Sequence, residues 1–231
     1  MGDLDGKHVR VKAPPNQGSN YYNYKGFHSI VLFALVDAHC RFIFIDVGCN
    51  GRAHDSAVYK ESYLYKKLQS GQLNIPMPSA LKGQHIKTPY FFIGDDAFPL
   101  TSNLMKPFSR SLKLTPAKEI YNYRLCRARM TVECAFGRLA NRFRIFHKPI
   151  EVMPDTIDKV IKASCVLHNY LTKEKTIITK DDLEAEQLPE TLSVIGPQEC
   201  DSYKFACRIR DNISQYCINE GNVDFQWNKI K

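Results

Sequence analysis

In LDGKHVRVKAPP polar and apolar side chains alternate from His8 to Lys12, with Val9 and Val11 facing one way and His8, Arg10 and Lys12 the other. That is the period of a half-buried strand, and its parity sets Asp5 on the buried side. The turn-rich PPNQGSN at 14–20 follows. HSIVLFALVDAHCRFIFIDVG then gives two apolar runs around DAHCR, predicting an antiparallel hairpin of two core strands. HDSAVYKESYLYKKLQ, 54–69, predicts a helix with Asp55 or Ser56 as N-cap. Beyond a Pro- and Gly-bearing loop at 71–89, YFFIGDD reads as a buried strand ending in two acids. Residues 100–120 are mixed, with Pro107 and Pro116 breaking any long element. From 121 to 148 the chain reads as a helix whose Val132, Phe136, Leu139, Phe143 and Phe146 form one narrow apolar stripe. A further amphipathic helix, about 155–171, starts behind Pro154. Past 172 the apolar pattern weakens, and partial order at best is expected. Strand, hairpin, helix, strand, helix, helix predicts an α/β chain with one mixed sheet covered by helices.

Composition is that of an ordinary globular chain: 231 residues, 44% hydrophobic and 24% charged. A chain of this length buries roughly 70% of its unfolded surface and needs no staples. The longest apolar run, IVLFALV at 30–36, is too short to span a bilayer. MGDLDGKHVRV lacks the apolar stretch of a secretory signal, so an intracellular protein with no membrane partner is expected. Eight cysteines form no C-x-x-C pair, which favours free buried thiols; Cys165 and His168 would make only half a zinc site. The glycosylation-like Asn212-Ile213-Ser214 carries little weight without a secretory route. Net charge is +8, and it is unevenly spread: ten acidic against five basic residues from Asp181 onward leave +13 on residues 1–180. A basic body with an acidic tail points to a polyanion, most simply nucleic acid, with solubility alone as the bland alternative.

Within the cationic helix (Arg124, Arg127, Arg129, Arg138, Arg142, Arg144, Lys148) one acid, Glu133, falls on the shoulder of the apolar stripe beside Gly137 and Ala140. A surface pair with Arg129 at i, i+4 would explain it for about 0.3 to 0.5 kcal/mol. Asp5 is harder to explain so, because a carboxylate on the core face of a strand needs a strong partner or a metal. Asp95 ends an apolar strand, where open sheets place ligand sites, although a loop start or helix cap accounts for it equally; Asp96 shares the ambiguity. Asp55 is accounted for as an N-cap. Acids converging from such separate elements would suit Mg²⁺ or Mn²⁺.

In order, LDGKHVRV, YKGFHSIVLFALVDAHCRFIFIDVG, GRAHDSAVYKES, FFIGDDAFPL, YNYRLCRARMTVECAFGRLANRFRI and ASCVLHNYL resemble the blocks of the DDE domain of PIF/Harbinger transposases and their domesticated nuclease-like relatives. The resemblance runs from about residue 3 to 171 and implies an RNase H-like mixed sheet flanked by helices, with a DDE nuclease domain at 1–171 and an acidic C-terminal extension at 172–231. It also implies metal-dependent cutting of DNA. Asp5 stands as the first acid, Asp95 as the second and Glu133 as the glutamate, with Asp55 of HDS as a further metal-side acid. The chain departs from the family in reading Asp95-Asp96-Ala97-Phe98 where D-x-G-Y is usual, and Ala140-Asn141 where a Lys is common.

The implied mechanism uses two Mg²⁺ or Mn²⁺ ions held by Asp5, Asp55, Asp95 and Glu133. Lys25, Arg52, Arg127, Arg129, Arg138, Arg142 and Arg144 are the candidate DNA-backbone contacts. Family members usually carry a helix-turn-helix-like segment before the first acid, whereas four residues precede Asp5 here. Relatives often work with a separate Myb-like DNA-binding protein, so site recognition in trans and a nuclear location are expected, with a cytoplasmic fraction and a homo-oligomer left open. The alternative is a catalytically silent domesticated module that binds DNA or protein.

Overall fold

The computed structural model describes residues 1–15, 19–111, 113–178 and 202–229. Strands β1 (Gly2–Arg10), β2 (Ser29–Val36) and β3 (Phe42–Asn50) lead into helices α1 (Asp55–Glu61) and α2 (Tyr63–Gln69). The short strands β4 (Ser79–Ala80), β5 (Lys87–Thr88), β6 (Phe92–Ile93) and β7 (Leu104–Met105) follow, then α3 (Pro116–Arg142), α4 (Pro154–Ile178) and α5 (Ser202–Ile218). Single 3₁₀ segments lie at Arg144–His147 and Asp224–Lys229. Five strands form one sheet in the order β3-β2-β1-β6-β7, while β4 and β5 pair separately. The β2–β3 ladder is antiparallel, and β1–β6 and β6–β7 are parallel. This mixed sheet with flanking helices is the α/β, RNase H-like architecture expected.

Every residue of β2 is buried, which is why SIVLFALV reads as a continuous apolar run instead of alternating. The turn into β3 is closed by Asp37, whose Oδ1 accepts the N–H groups of His39 and Arg41, both at 2.9 Å, while Cys40 takes a left-handed φ of 62°.

Two compact units divide the chain: Met1–Asp3, Lys66–Met130 and Glu190–Lys231 form the first, Leu4–Tyr65 and Thr131–Pro189 the second. In the second unit Val9 and Val11 join Ile30, Leu32, Ala34 and Val36 against Val132, Phe136 and Leu139 of α3 and Ile157 and Ile161 of α4. Phe143 and Phe146 pack onto the same cluster, so the whole predicted stripe reaches the core. His168 and Asn169 tie α4 to the hairpin: His168 Nε2 contacts the Cys40 carbonyl at 2.8 Å, and the Asn169 amide both accepts from the Phe42 N–H and donates to the Phe42 carbonyl, each at 2.8 Å. In the first unit Leu100, Met105, Phe108, Ile120, Tyr121 and Leu125 pack against Ala206, Ile209, Ile213 and Cys217 of α5.

Several expectations change. The helix expected over 54–69 is broken at Ser62, whose extended backbone and hydroxyl serve both halves, donating to the Tyr59 carbonyl at 2.6 Å and accepting the Tyr65 N–H at 3.2 Å. Its N-cap is His54, without a side-chain cap bond, so Asp55 is the first helical residue and the capping account of it fails. Pro116, expected only as a breaker, opens α3 because its missing N–H falls among the donors that lack a partner at a helix start. The helix expected to reach 148 ends at Arg142, and α4 runs on to Ile178. Within the tail expected to be at best partly ordered, α5 is a 17-residue helix built into a core; residues 179–201 of that tail lie outside the described set.

Candidate active site

Asp5 and Lys7 share the parity of Val9 on β1, the side from which Val9 meets α3. Lys7 Nζ lies 5.6 Å over the Phe136 ring. Asp5 is half-buried, and its Oδ1 accepts the Gly6 N–H at 2.9 Å. On the same glycine sits a second carboxylate, because a Cβ added to Gly6 would stand only 2.6 Å from Asp55 Cγ and closer still to its Oδ1. Gly6 is therefore needed for space and not for backbone freedom. Two carboxylates bordering one glycine repel each other in a partly desolvated setting, which favours a cation beside them.

Lys7 is a residue the sequence reasoning missed, although its parity with Asp5 could have found it. Its pKa is lowered, chiefly by burial and further by the neighbouring Lys25, with Asp5 opposing. A half-buried ammonium and a carboxylate thus lie within electrostatic reach on consecutive same-side positions of β1.

Asp95 belongs to the first unit. There β1 runs parallel to β6 with Asp3 opposite Ile93, and Asp95 lies two residues beyond Ile93. Its Oδ1 accepts the Ala97 N–H at 2.9 Å, whereas Asp96 is paired with Lys106 at 3.2 Å. Asp96 is thus an exposed ion-pair residue, and Asp95 organises the turn. Phe98 is buried and folds back on Gly94, where a Cβ would stand 2.8 Å from its ring. Ala97 needs no left-handed backbone, so the departure from D-x-G-Y is accommodated and the aromatic position is kept by Phe98.

Glu133 is exposed on α3, with open space at Gly137 as its small neighbours suggested. Among the described residues it has no ion pair with Arg129, and Arg129 Nε is buried without a hydrogen-bond partner. Of the four acids, the structure brings Asp5 and Asp55 together at Gly6. Among the described residues no group of three or more His, Cys, Asp or Glu side chains lies close enough to hold a metal ion.

The cationic candidates divide. Lys25, Arg52, Arg138 and Arg144 are exposed, and Arg127 is stacked over Phe225 at 4.8 Å. Arg142 instead turns inward, donating through Nη1 to the His168 carbonyl at 3.0 Å and Thr172 Oγ1 at 2.8 Å, with His168 Nδ1 at 3.3 Å. The His168 ring is thereby committed on both nitrogens, which accounts for the Cys165–His168 pair without zinc. Among the described cysteines all are free; Cys40, Cys165 and Cys217 are buried, while Cys126 and Cys134 are exposed. Ser214 of the glycosylation-like triplet is buried on α5. Among the described residues no helix is long and apolar enough to cross a membrane.

Residues 4–169 match the family model described as DDE superfamily endonuclease. The human protein named "Putative nuclease HARBI1" is 28% identical over 172 residues, 73% of this chain and 45% of its own length. "Protein ALP1-like" of Arabidopsis thaliana is 28% identical over 228 residues, 95% of this chain and 52% of its own. The Xenopus laevis protein bearing the HARBI1 name is 24% identical over 208 residues, 88% of this chain and 55% of its own. The chain thus spans about half the length of the curated relatives it matches. No solved structure matches it. The family model covers both hairpin strands, the Gly6–Asp55 contact, the Asp95 turn and the Glu133 helix, and the chain belongs to the DDE endonuclease superfamily in its PIF/Harbinger branch.

Proposed function

We propose that the chain is a divalent-metal-dependent DNA endonuclease of transposase origin, in which Asp5, Asp95 and Glu133 carry the chemistry and Asp55 supports it. The observation that carries this reading is the meeting of Asp5 and Asp55 on Gly6: a side chain there would expel Asp55, so the strand is shaped to admit a second acid beside the first. An all-carboxylate donor set fits hard, oxygen-seeking Mg²⁺ or Mn²⁺. Bound there, such ions would acidify an attacking water and neutralise charge on the leaving 3′ oxygen. Lys7, on the Asp5 side of β1, would draw the scissile phosphate toward the acids, and exposed Arg138 and Arg144 would hold the flanking backbone.

By the same reading DNA is the partner, the nucleus the working compartment, and a Myb-like protein supplies site recognition in trans. Plasmid nicking tests it: the chain should convert supercoiled to open-circular DNA with Mg²⁺ or Mn²⁺, and Asp95→Asn should not. A folded chain that binds DNA yet leaves the plasmid supercoiled with either ion would identify a silent binding module instead.

A further inference from the structure

The turn between β1 and β2 is more tightly built than a connector requires. Asn23 is buried at its centre, its Oδ1 accepting the N–H groups of Lys25 at 2.9 Å and Phe27 at 3.3 Å while its Nδ2 donates to Ser29 Oγ at 2.8 Å. Ser29 Oγ is in turn 2.9 Å from His8 Nδ1, which locks the turn to β1. Backbone bonds from Asn23 N to the Phe27 carbonyl and from Gly26 N to the Asn23 carbonyl close it, and Gly26 takes the φ of 82° that the bend demands.

What this frame holds outward is Tyr24, 81% exposed, an unusual position for a large aromatic ring. Cations and rings lie on the same turn and on the strand beside it. Lys25 Nζ lies 5.4 Å from the Tyr24 centroid, His8 meets that ring edge-on at 5.5 Å, and the Arg10 guanidinium covers Phe27 at 4.5 Å. Tyr22, half exposed, meets His28 edge-on at 5.2 Å. Among the described residues no carboxylate pairs with Lys25 or Arg10, so the patch offers flat apolar faces and positive charge together. An acidic protein surface would use the charge and leave the ring faces wet, and duplex DNA would present phosphates with its bases already stacked. A strand with an unpaired base uses both features, since a base stacks on an aromatic face while its phosphates meet the cations.

We propose that the Tyr24 turn is a stacking site for an unpaired base of DNA, with Lys25 and Arg10 binding the adjoining phosphates. The site would receive the strand alongside β1, because the Tyr24 ring meets His8 of that strand at 5.5 Å, three residues past Asp5. The inference rests on DNA being the ligand of the proposed function, and it adds that melted or frayed DNA is preferred over intact duplex.

Fluorescence anisotropy on the full chain, in EDTA so that no cutting occurs, tests it with one labelled oligonucleotide offered single-stranded and as a duplex. Single strands should bind more tightly; Tyr24→Ala should weaken them about tenfold and leave duplex binding unchanged, and Tyr24→Phe should bind as the parent does. Lys25→Ala should flatten the salt dependence on both. Equal binding of single strands by the parent and Tyr24→Ala, or an equal loss on single strand and duplex, would overturn the proposal. Because binding is read without metal, a chain that stacks single strands but never nicks plasmid would refute the nuclease reading and leave this one standing, and the converse would do the reverse.

Discussion

The Asp55 carboxylate occupies the volume that any side chain at position 6 would need, beside the residue whose N–H is bonded to Asp5. Gly6→Ala is therefore expected to displace Asp55 while leaving β1 in its sheet, since the backbone there has no left-handed φ. If Asp55 supports the metal as proposed, a displacement of about 1 Å can cost roughly a hundredfold in turnover. Nicking rates for Gly6→Ala, set beside its circular dichroism, check this. Parent-like nicking by the alanine variant would remove Asp55 from the chemistry.

Arginines on and after α3 should separate by function. Arg142 is bonded to α4, so Arg142→Ala should lower unfolding free energy by about 1–3 kcal/mol in urea titrations. Arg138 and Arg144 are exposed, and their alanine variants should leave the urea midpoint unchanged while reducing the slope of log affinity against log salt by about one phosphate contact each. A loss of salt dependence in Arg142→Ala with unchanged stability would reverse this assignment.

Stability should fall on acidification through the histidine range. The His168 pKa is lowered from the ordinary 6.5, first by burial and also by Arg142 and Arg138, with the Cys40 carbonyl contact opposing. His8 is lowered too, by burial and by Lys25. Above 6.5 both states are neutral and nothing is lost; below it the unfolded chain takes up protons that the folded chain refuses, so stability declines until pH passes the folded value and then levels. Urea midpoints taken on either side of 6.5 should show the decline, and His168→Gln should shrink it.

Thiol reactivity should follow burial. The Cys165 thiol is pushed up to about 12 by burial, and Cys40 and Cys217 are raised for the same leading reason, whereas Cys126 and Cys134 are exposed on α3. Brief alkylation followed by peptide mass mapping should mark Cys126 and Cys134 and spare Cys165 until denaturant is added. Early labelling of Cys165 would mean that the packing of α4 against β2 and α3 is looser than the structure has it.

Much of this was legible in the chain because it depends on period. The His8–Lys12 alternation, the hairpin and the Val132–Phe146 stripe are one-dimensional patterns, and each appears where the pattern puts it. Elements whose stability comes from partners were not legible. The YFFIGDD strand was legible and appears as β6, but the two-residue strand β7 exists only through its register with β6, and α5 hides Ala206, Ile209, Ile213 and Cys217 among charged residues until Phe108 and Tyr121 are there to meet them. Ser62 shows the same limit, since a single serine breaks a helix only by hydrogen-bonding both flanking turns. At the candidate site, the Asp5 parity could be read directly, but the need for glycine at position 6 and the inward turn of Arg142 are facts of neighbours distant in the chain.

Phe42 lies in β3, the outermost strand on its side of the sheet, and there both of its backbone groups are held by one asparagine side chain from α4. An amide so placed imitates the next strand and ends the ladder, so a foreign β-segment finds its first docking rung occupied. Replacing Asn169 with leucine would leave α4 in place yet open that rung, turning a capped border into a template for self-association.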